Sequence, residues 1–484
     1  MVFLIVVVIL YWNLSTRSRL WLVFLSSLLF YGFWRVEYLA VMLLSTFTDY
    51  FVALELGKTE LSQKRKRFQL LLVSLVLNLG LLIYFKYLYF ISENISHLAS
   101  FMGMAVEMPE FNILLPLGIS FYTFQTISYT VDAYRKHIEP EKNFALYGSY
   151  VTFFPQLVAG PVLRAQEVIG QLKVRPKFEL SFIGQGLERI LYGLFLKVVL
   201  ADNIAPLVDA GYALPAASMS AIDVWTLAFI FGFQIYFDFA GYSHIAIGCA
   251  KLMGIQFPEN FNFPYAATSF KSFWRRWHIS LSSWIRDYLY LPLVGATVID
   301  PSKRSQGGID VSRLKTNIST TQKNKALFLT WAIMGLWHGA NWTFVFWGIY
   351  HAVMIFMERQ LTSFRKKTSL FQKAVVGWMV TLPLAMLGWV PFRAQSIGDT
   401  LTMFSKIINP TEYWAISMRE NVYLVTFLLL LFTTMSYLYT TYLKNNVLEN
   451  PWLRAPLQVG KFAMIFILVF TFFRPISQFI YFQF

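Results

Sequence analysis

Apolar residues run along this chain in long uninterrupted stretches rather than in alternation with polar ones. Runs of spanning or near-spanning length recur near residues 1–15, 19–34, 36–56, 68–90, 111–131, 182–201, 222–250, 326–358, 374–393, 422–442 and 459–482. Crossing a bilayer as a helix takes about 20 apolar residues, so the two shortest runs need tilt, snorkelling or shielding by neighbours. Every backbone polar group in hydrocarbon needs an internal partner, and the runs lack a period-2 pattern, so helices are preferred to a barrel. The pattern predicts an all-α polytopic integral membrane protein with about 11 to 12 transmembrane helices.

Polar intervals then set the orientation. Lys58, Lys64, Arg65, Lys66 and Arg67 place one loop in the cytoplasm, and Glu93, Glu107 and Glu110 place the next outside. Arg135, Lys136 and Lys142 bring the chain back inside, where Lys173, Arg175 and Lys177 also lie. The segment 145–165 must then enter and leave on one side. Its PQLVAGP core supports a re-entrant hairpin, because Pro155, Gly160 and Pro161 break a helix. Asp202, Asp209 and Asp223 place 202–223 outside. The interval 300–325, rich in Lys, Arg, Ser, Thr, Asn and Gly, reads as a mobile cytoplasmic loop. In 268–291, Phe270, Phe273, Trp274, Trp277, Leu281, Trp284, Ile285 and Tyr288 recur at three- and four-residue spacing, which predicts an amphipathic helix lying in the interface or forming a shallow wall of a membrane cavity.

Composition agrees with this picture. Of 484 residues, 56% are hydrophobic and only 14% charged, which excludes disorder, a coiled coil and a soluble enzyme. The 41 Lys+Arg against 26 Asp+Glu give a net charge of +15, read as membrane topology rather than nucleic-acid binding because the basic residues flank apolar runs. Cys249 is the single cysteine, so no intramolecular disulfide or cysteine-rich metal site can form. The N-terminal run has no basic residue before it and no small-residue cleavage pattern, and predicts a retained first helix starting outside. The chain divides by pattern into N-terminal membrane helices (1–110), a core (111–358) and C-terminal membrane helices (359–484), all one integrated membrane domain.

Ionisable side chains inside apolar runs are expensive and point to function. They are Glu37, Asp49, Lys86, Lys197, Asp238, His244, His338 and His351. Glu37 and Lys86 lie near run ends and can snorkel. His338 cannot: it sits in TWAIMGLWHGANWTFVFWGIYH, among Trp337, Asn341 and Trp342, where Gly335, Gly339 and Gly348 permit close helix approach. Three roles are open to it: general base, metal ligand or helix-packing donor. Six histidines, with no HxxxH pair and no cysteine cluster, make a metal the weakest of these. His278 adds weight to catalysis, since Trp274 and Trp277 shield it and Arg275 and Arg276 would attract an anion, with Ser282 nearby. Such a set suits deprotonation of a hydroxyl beside an activated acyl group. GxSxG, Walker and HExxH motifs do not occur.

At these residues the chain resembles the membrane-bound O-acyltransferase family, and within it the branch typified by the alginate O-acetyltransferase membrane subunit. The matching blocks are LLPLGISFYTFQTISYTVDAYR (114–135), FFPQLVAGPVLR (153–164), FDFAGYSHIAIG (237–248), FPENFNFPYAATSFKSFWRRWHISLSSWIRDYLYLPL (257–293), GLWHGANWTFVFWGIYH (335–351) and WVPFRA (389–394). The resemblance implies His338 as catalytic histidine and His278 as the second active-site histidine. It implies a helical ring with a thinned centre, where funnels from both sides meet. Ala240 and His244 depart from the branch, which commonly has Ser and Asp there, so no catalytic role is carried to His244. The loop 295–325 is longer than usual for the branch.

The expected reaction is acetyl transfer from a cytoplasmic thioester, acetyl-CoA or an acyl carrier, to a hydroxyl reached from the other side, with no bound cofactor and no metal. His338 would be the general base, and His278 would orient the acyl group or stabilise the oxyanion. Arg275 and Arg276 would hold donor phosphates, and Trp274, Trp277, Ser282, Trp337, Asn341 and Asp238 would line the substrate site. The resemblance implies a bacterial cytoplasmic (inner) membrane and O-acetylation of a cell-surface exopolysaccharide such as alginate, directly or through a periplasmic acetyltransferase partner. The expected partners are therefore membrane lipid, the polysaccharide or that partner, and an acyl carrier protein, with no nucleic acid. D-alanyl transfer to teichoic acid is the alternative within the class. A proton-coupled transporter and a non-catalytic scaffold are the alternatives outside it.

Overall fold

The computed structural model describes residues 2–104, 113–157, 160–174, 176–296, 318–367, 374–443 and 451–473. Among them every regular element is helical, and the protein is an all-α polytopic membrane protein. Six helical stretches of the described residues are long and apolar enough to cross a bilayer: Leu39–Lys58, Lys64–Phe101, Leu180–Tyr212, Ala221–Leu252, Ala374–Arg393 and Glu420–Thr441. Other apolar runs fold as shorter helices, such as Val2–Asn13 and Ile119–Tyr134. The expected mobile loop falls mostly on 297–317, outside the described residues, and helix resumes at Thr320 behind the cap of Ser319.

The chain forms two compact units. The first is mostly Met1–Ile190 with Ile245–Glu259; the second is mostly Leu191–His244, Asn260–Thr297 and Ser305–Phe484.

In the first unit three helices are pinned by polar pairs spaced four residues apart, the spacing that puts two side chains on one helix face. Leu39–Lys58 supplies Ser45 and Asp49, Lys64–Leu82 supplies Ser74 and Asn78, and Ile119–Tyr134 supplies Thr126 and Thr130. The buried Asp49 carboxylate accepts from the Ser74 hydroxyl, from Asn78 Nδ2 at 2.6 Å and from Thr130 Oγ1 at 2.9 Å. Asn78 Oδ1 accepts from Ser45 and Thr126 in turn. Arg67 closes the ends of two of these helices by donating to the carbonyls of Leu56, Thr59 and Ala133, groups that a helix C-terminus leaves unpaired. The segment expected to be re-entrant folds as helix Phe144–Thr152, an interruption at Phe153, and one turn at Phe154–Leu157. A Cβ at Gly160 would lie 2.6 Å from the Gln156 backbone, a close approach that only glycine allows.

In the second unit two helices form the tightest pair. Thr320–His338 and Trp342–Lys367 are joined by three residues and pack through glycine. A Cβ at Gly348 would meet the Trp331 carbonyl oxygen at 2.1 Å, and one at Gly335 would meet the Phe344 carbonyl oxygen at 2.2 Å. This is the close approach that the glycine spacing predicts.

Candidate active site

His338 is the last residue of the helix Thr320–His338, buried where the chain turns into Trp342–Lys367. Its imidazole packs against Trp337 and Trp347, with ring centroids 4.8 Å away in each case, and against Phe392 at 5.3 Å. Phe392 comes from the short helix Trp389–Arg393, so the WVPFRA block contributes a wall of this pocket. Asn341 is exposed and caps the next helix, its Oδ1 accepting from Thr343 N at 3.0 Å, and Trp342 is half exposed. Of the expected neighbours of His338, Trp337 touches it through these ring contacts.

A second histidine shares the same tryptophan. Trp347 and His351 lie one helical turn apart, ring centroids 4.9 Å, and His351 is enclosed by Trp274 at 5.0 Å and Trp331 at 5.6 Å. Trp274 therefore belongs to the cage around His351 rather than to the surface. The helix that carries it, Phe270–Trp274, is held by Glu358, whose Oε2 accepts from Phe270 N at 2.6 Å.

The segment 268–291 is not one amphipathic helix, and that expectation is corrected. It forms Phe270–Trp274, a turn, Ile279–Ile285, a π-turn at Arg286–Tyr290 and a final turn at Leu291–Leu293. The break falls on His278, whose backbone is left-handed (φ 42°, ψ 57°). For a residue with a Cβ that conformation costs roughly 1–2 kcal/mol. Backbone pairing with residues 260–262 offsets it: Asn262 N donates to Arg276 O and Ile279 N to Asn260 O, both at 2.9 Å. The interruption redirects the side chains. Trp277 and His278 point inward and are fully buried, while Arg275 is exposed and Arg276 half-buried, one guanidinium nitrogen donating to Asn262 O at 3.1 Å. Ser282 donates to the Trp277 carbonyl at 3.2 Å.

His278 Nδ1 lies 3.0 Å from Asn260 Oδ1, and Phe239 packs edge-on to the ring at 4.6 Å. Among the described residues its Nε2 has no hydrogen-bond partner, although it is buried. An unpaired buried polar atom costs on the order of 1–3 kcal/mol, so a water or a substrate group is its expected partner. Burial pushes the imidazole down to about 3, and it is neutral at physiological pH. Ring contacts join the neighbourhoods of His278 and His338 through Trp277, Trp389 (4.7 Å) and Phe392 (5.5 Å). Behind Trp277 stand Tyr236 and Tyr265, which line an apolar cavity of about 330 Å³ with Trp378, Leu382 and Tyr437.

Asp238, expected in the substrate site, is paired with a lysine. Its Oδ1 is 2.6 Å from Lys197 Nζ, which also lies 2.8 Å from Asp202 Oδ1. His244 packs edge-on to Tyr192 at 4.8 Å. Among the described residues no group of three or more His, Cys, Asp or Glu gathers as metal ligands would.

The sequence reading gave Asn260, Trp347 and Phe392 no role, and named His351 only as an ionisable residue inside an apolar run. All four fall inside quoted motif blocks, Asn260 in 257–293, Trp347 and His351 in 335–351 and Phe392 in 389–394, which was the available signal. Within its block nothing pairs Asn260 with His278, because the two are 18 residues apart.

The membrane-bound O-acyltransferase family profile matches residues 20–308, well over half the chain, and the protein belongs to that family of O-acyltransferases. The match includes Asn260 and His278 and ends before His338. The chain is 35% identical over 411 residues to a protein named probable alginate O-acetylase in Azotobacter vinelandii, covering 84% of this chain and 76% of the relative. It is 34% identical over 416 residues to a peptidoglycan O-acetyltransferase of Helicobacter pylori, covering 81% and 73%. Similarity to a teichoic acid D-alanyltransferase of Bacillus subtilis is lower, 28% over 295 residues, covering 59% and 71%.

Proposed function

We propose that this protein is a bacterial inner-membrane O-acetyltransferase that moves an acetyl group from a cytoplasmic thioester, acetyl-CoA or an acyl carrier, toward a cell-envelope polysaccharide. The observation that carries the reading is His338: an imidazole buried at a helix end between Trp337, Trp347 and Phe392, in a chain whose closely similar relatives are named for O-acetylation of alginate and peptidoglycan. In this reading His338 takes the proton of the acceptor hydroxyl as the new C–O bond forms. The C–S bond breaks, and the departing thiolate recovers that proton. General-base assistance of this kind is worth about 10²–10⁴-fold. His278 is the second histidine of the site, and Trp274, Trp277, Trp337, Ser282 and Asn341 shape its surroundings. The exposed Arg275 and the half-buried Arg276 attract the donor's phosphates through charge. The acetyl group reaches the glycan directly or through a partner on the far side of the membrane.

The test is cell-surface acetyl ester in His338→Ala and His278→Ala strains at equal membrane abundance. Loss of ester in both is expected; normal acetylation in His338→Ala ends the proposal. Purified protein given labelled acetyl-CoA decides the donor, since turnover that appears only when an acyl carrier is added assigns the carrier route.

A further inference from the structure

We infer that the side chain of Asn260 locks His278 in its Nδ1–H form, so that His278 meets the substrate through a bare Nε2 as a hydrogen-bond acceptor. The inference rests on the acyltransferase reading for its consequence, not for its geometry.

The amide of Asn260 is fully buried, and its orientation is determined by its neighbours. Its Oδ1 faces three groups: Ser280 Oγ at 2.8 Å, the Ser280 backbone N–H at 3.4 Å and His278 Nδ1 at 3.0 Å. A backbone N–H can only donate, so the atom it faces is oxygen rather than the amide nitrogen. The other end agrees, because Nδ2 donates to Ser243 Oγ at 3.1 Å. An amide oxygen carries no hydrogen, so the hydrogen between it and the imidazole belongs to His278 Nδ1. Neutral imidazole has one N–H, and once Nδ1 holds it, Nε2 is a lone pair.

Several contacts keep the ring from escaping this arrangement. Phe239 and Phe261 pack on it, and the left-handed backbone at His278 is tied to Asn260 by the Ile279 N to Asn260 O bond of 2.9 Å. One residue therefore holds both the main chain and the tautomer.

The consequence separates the two roles the sequence left open for His278. A neutral ring with a bare Nε2 cannot donate to a developing oxyanion. It receives a donor instead: a hydroxyl of the acceptor or an amide N–H of the donor's arm. The oxyanion must be met by other groups. Asn260 is thus a positioning residue, acting through His278.

The test labels the six histidines with ¹⁵N in the purified full-length protein and reads the ring nitrogens by NMR, with His278→Asn identifying the signal. The proposal requires a protonated Nδ1 and a bare Nε2 at neutral pH; a protonated Nε2 overturns it. Two variants test the consequence. Asn260→Asp keeps an oxygen opposite Nδ1 and should retain both the tautomer and most of the turnover. Asn260→Leu should lose the tautomer and lower kcat on the order of 10²-fold or more, as misoriented catalytic histidines do. Unchanged kcat and tautomer in Asn260→Leu would refute the assignment. Absence of acetyl transfer by the wild-type protein would instead count against the enzyme reading, and the NMR result would still decide the tautomer.

Discussion

The indole of Trp347 stands edge-on to the imidazole of His338, ring centroids 4.8 Å apart with an interplanar angle of 80°. The same indole touches His351 on its own helix and Phe392 from the next element. Trp347 is fully buried, so it cannot change place without disturbing His338.

Replacing Trp347 therefore separates orientation from binding. Trp347→Phe keeps an aromatic face and should retain a measurable share of turnover. Trp347→Ala leaves a large void, which in a packed interior costs about 3–5 kcal/mol, and frees His338 to rotate. The expected result is a fall in kcat much larger than any rise in KM for the thioester. Equal kcat in Trp347→Ala and wild type would show that the contact is packing without catalytic consequence.

A second prediction concerns the helix pair itself. Alanine at Gly348 would put a methyl group 2.1 Å from the Trp331 carbonyl oxygen, so the two helices must separate. His338 ends one of them and would move. Gly348→Ala should lower both thermal stability in detergent and acetyl transfer. Gly184→Ala is the control: it lies in the helix Leu180–Leu194, and a Cβ there meets nothing within 4 Å. That change should be neutral or stabilising by about 0.4–1 kcal/mol. Similar melting temperatures for the two variants would contradict the packing argument.

Much of this architecture was legible in the chain because it depends on local pattern. Apolar length announces the helices, and the spacing of Gly335, Gly339 and Gly348 announces a close crossing. What stayed hidden depends on contacts distant in sequence. The periodicity of 268–291 is genuinely helical, and only pairing with 260–262 breaks the helix at His278. Asp238 reads from sequence as a substrate-site residue, yet the fold pairs it with Lys197, which also meets Asp202. Trp347 carries no mark in the sequence until the hairpin folds it against His338, and His351 reads there only as one more ionisable residue inside an apolar run.

The Lys197 group supports a third prediction. Removing one member of a buried ion pair strands the other, which typically costs about 3–5 kcal/mol. Lys197→Met should therefore reduce the melting temperature and membrane abundance strongly. Adding Asp238→Leu to it should recover part of the loss, since the double variant no longer strands Asp238. If Asp238 instead contacts the substrate, as its place in the sequence suggests, Asp238→Asn would abolish transfer at normal stability. Thermal melts and turnover on the same preparations distinguish the two.

The last prediction is a pH dependence with a defined sign. His278 lies outside the six helices long enough to span a bilayer, and burial holds its imidazole near 3, far below the usual histidine value of about 6.5. Between those values the unfolded chain binds a proton at this position and the folded chain does not. Stability therefore rises with pH across the window: the contribution is complete above about 6.5 and is lost progressively as the pH falls toward 3. His278→Asn removes the titration while tolerating the left-handed backbone, which asparagine adopts more readily than most residues. Its melting temperature in detergent should fall less steeply than that of wild type between pH 7.5 and 4.5. Carboxylates common to both proteins cancel in that difference. Parallel curves would mean that His278 carries the same protonation folded and unfolded, and the buried neutral ring on which the tautomer argument depends would be lost.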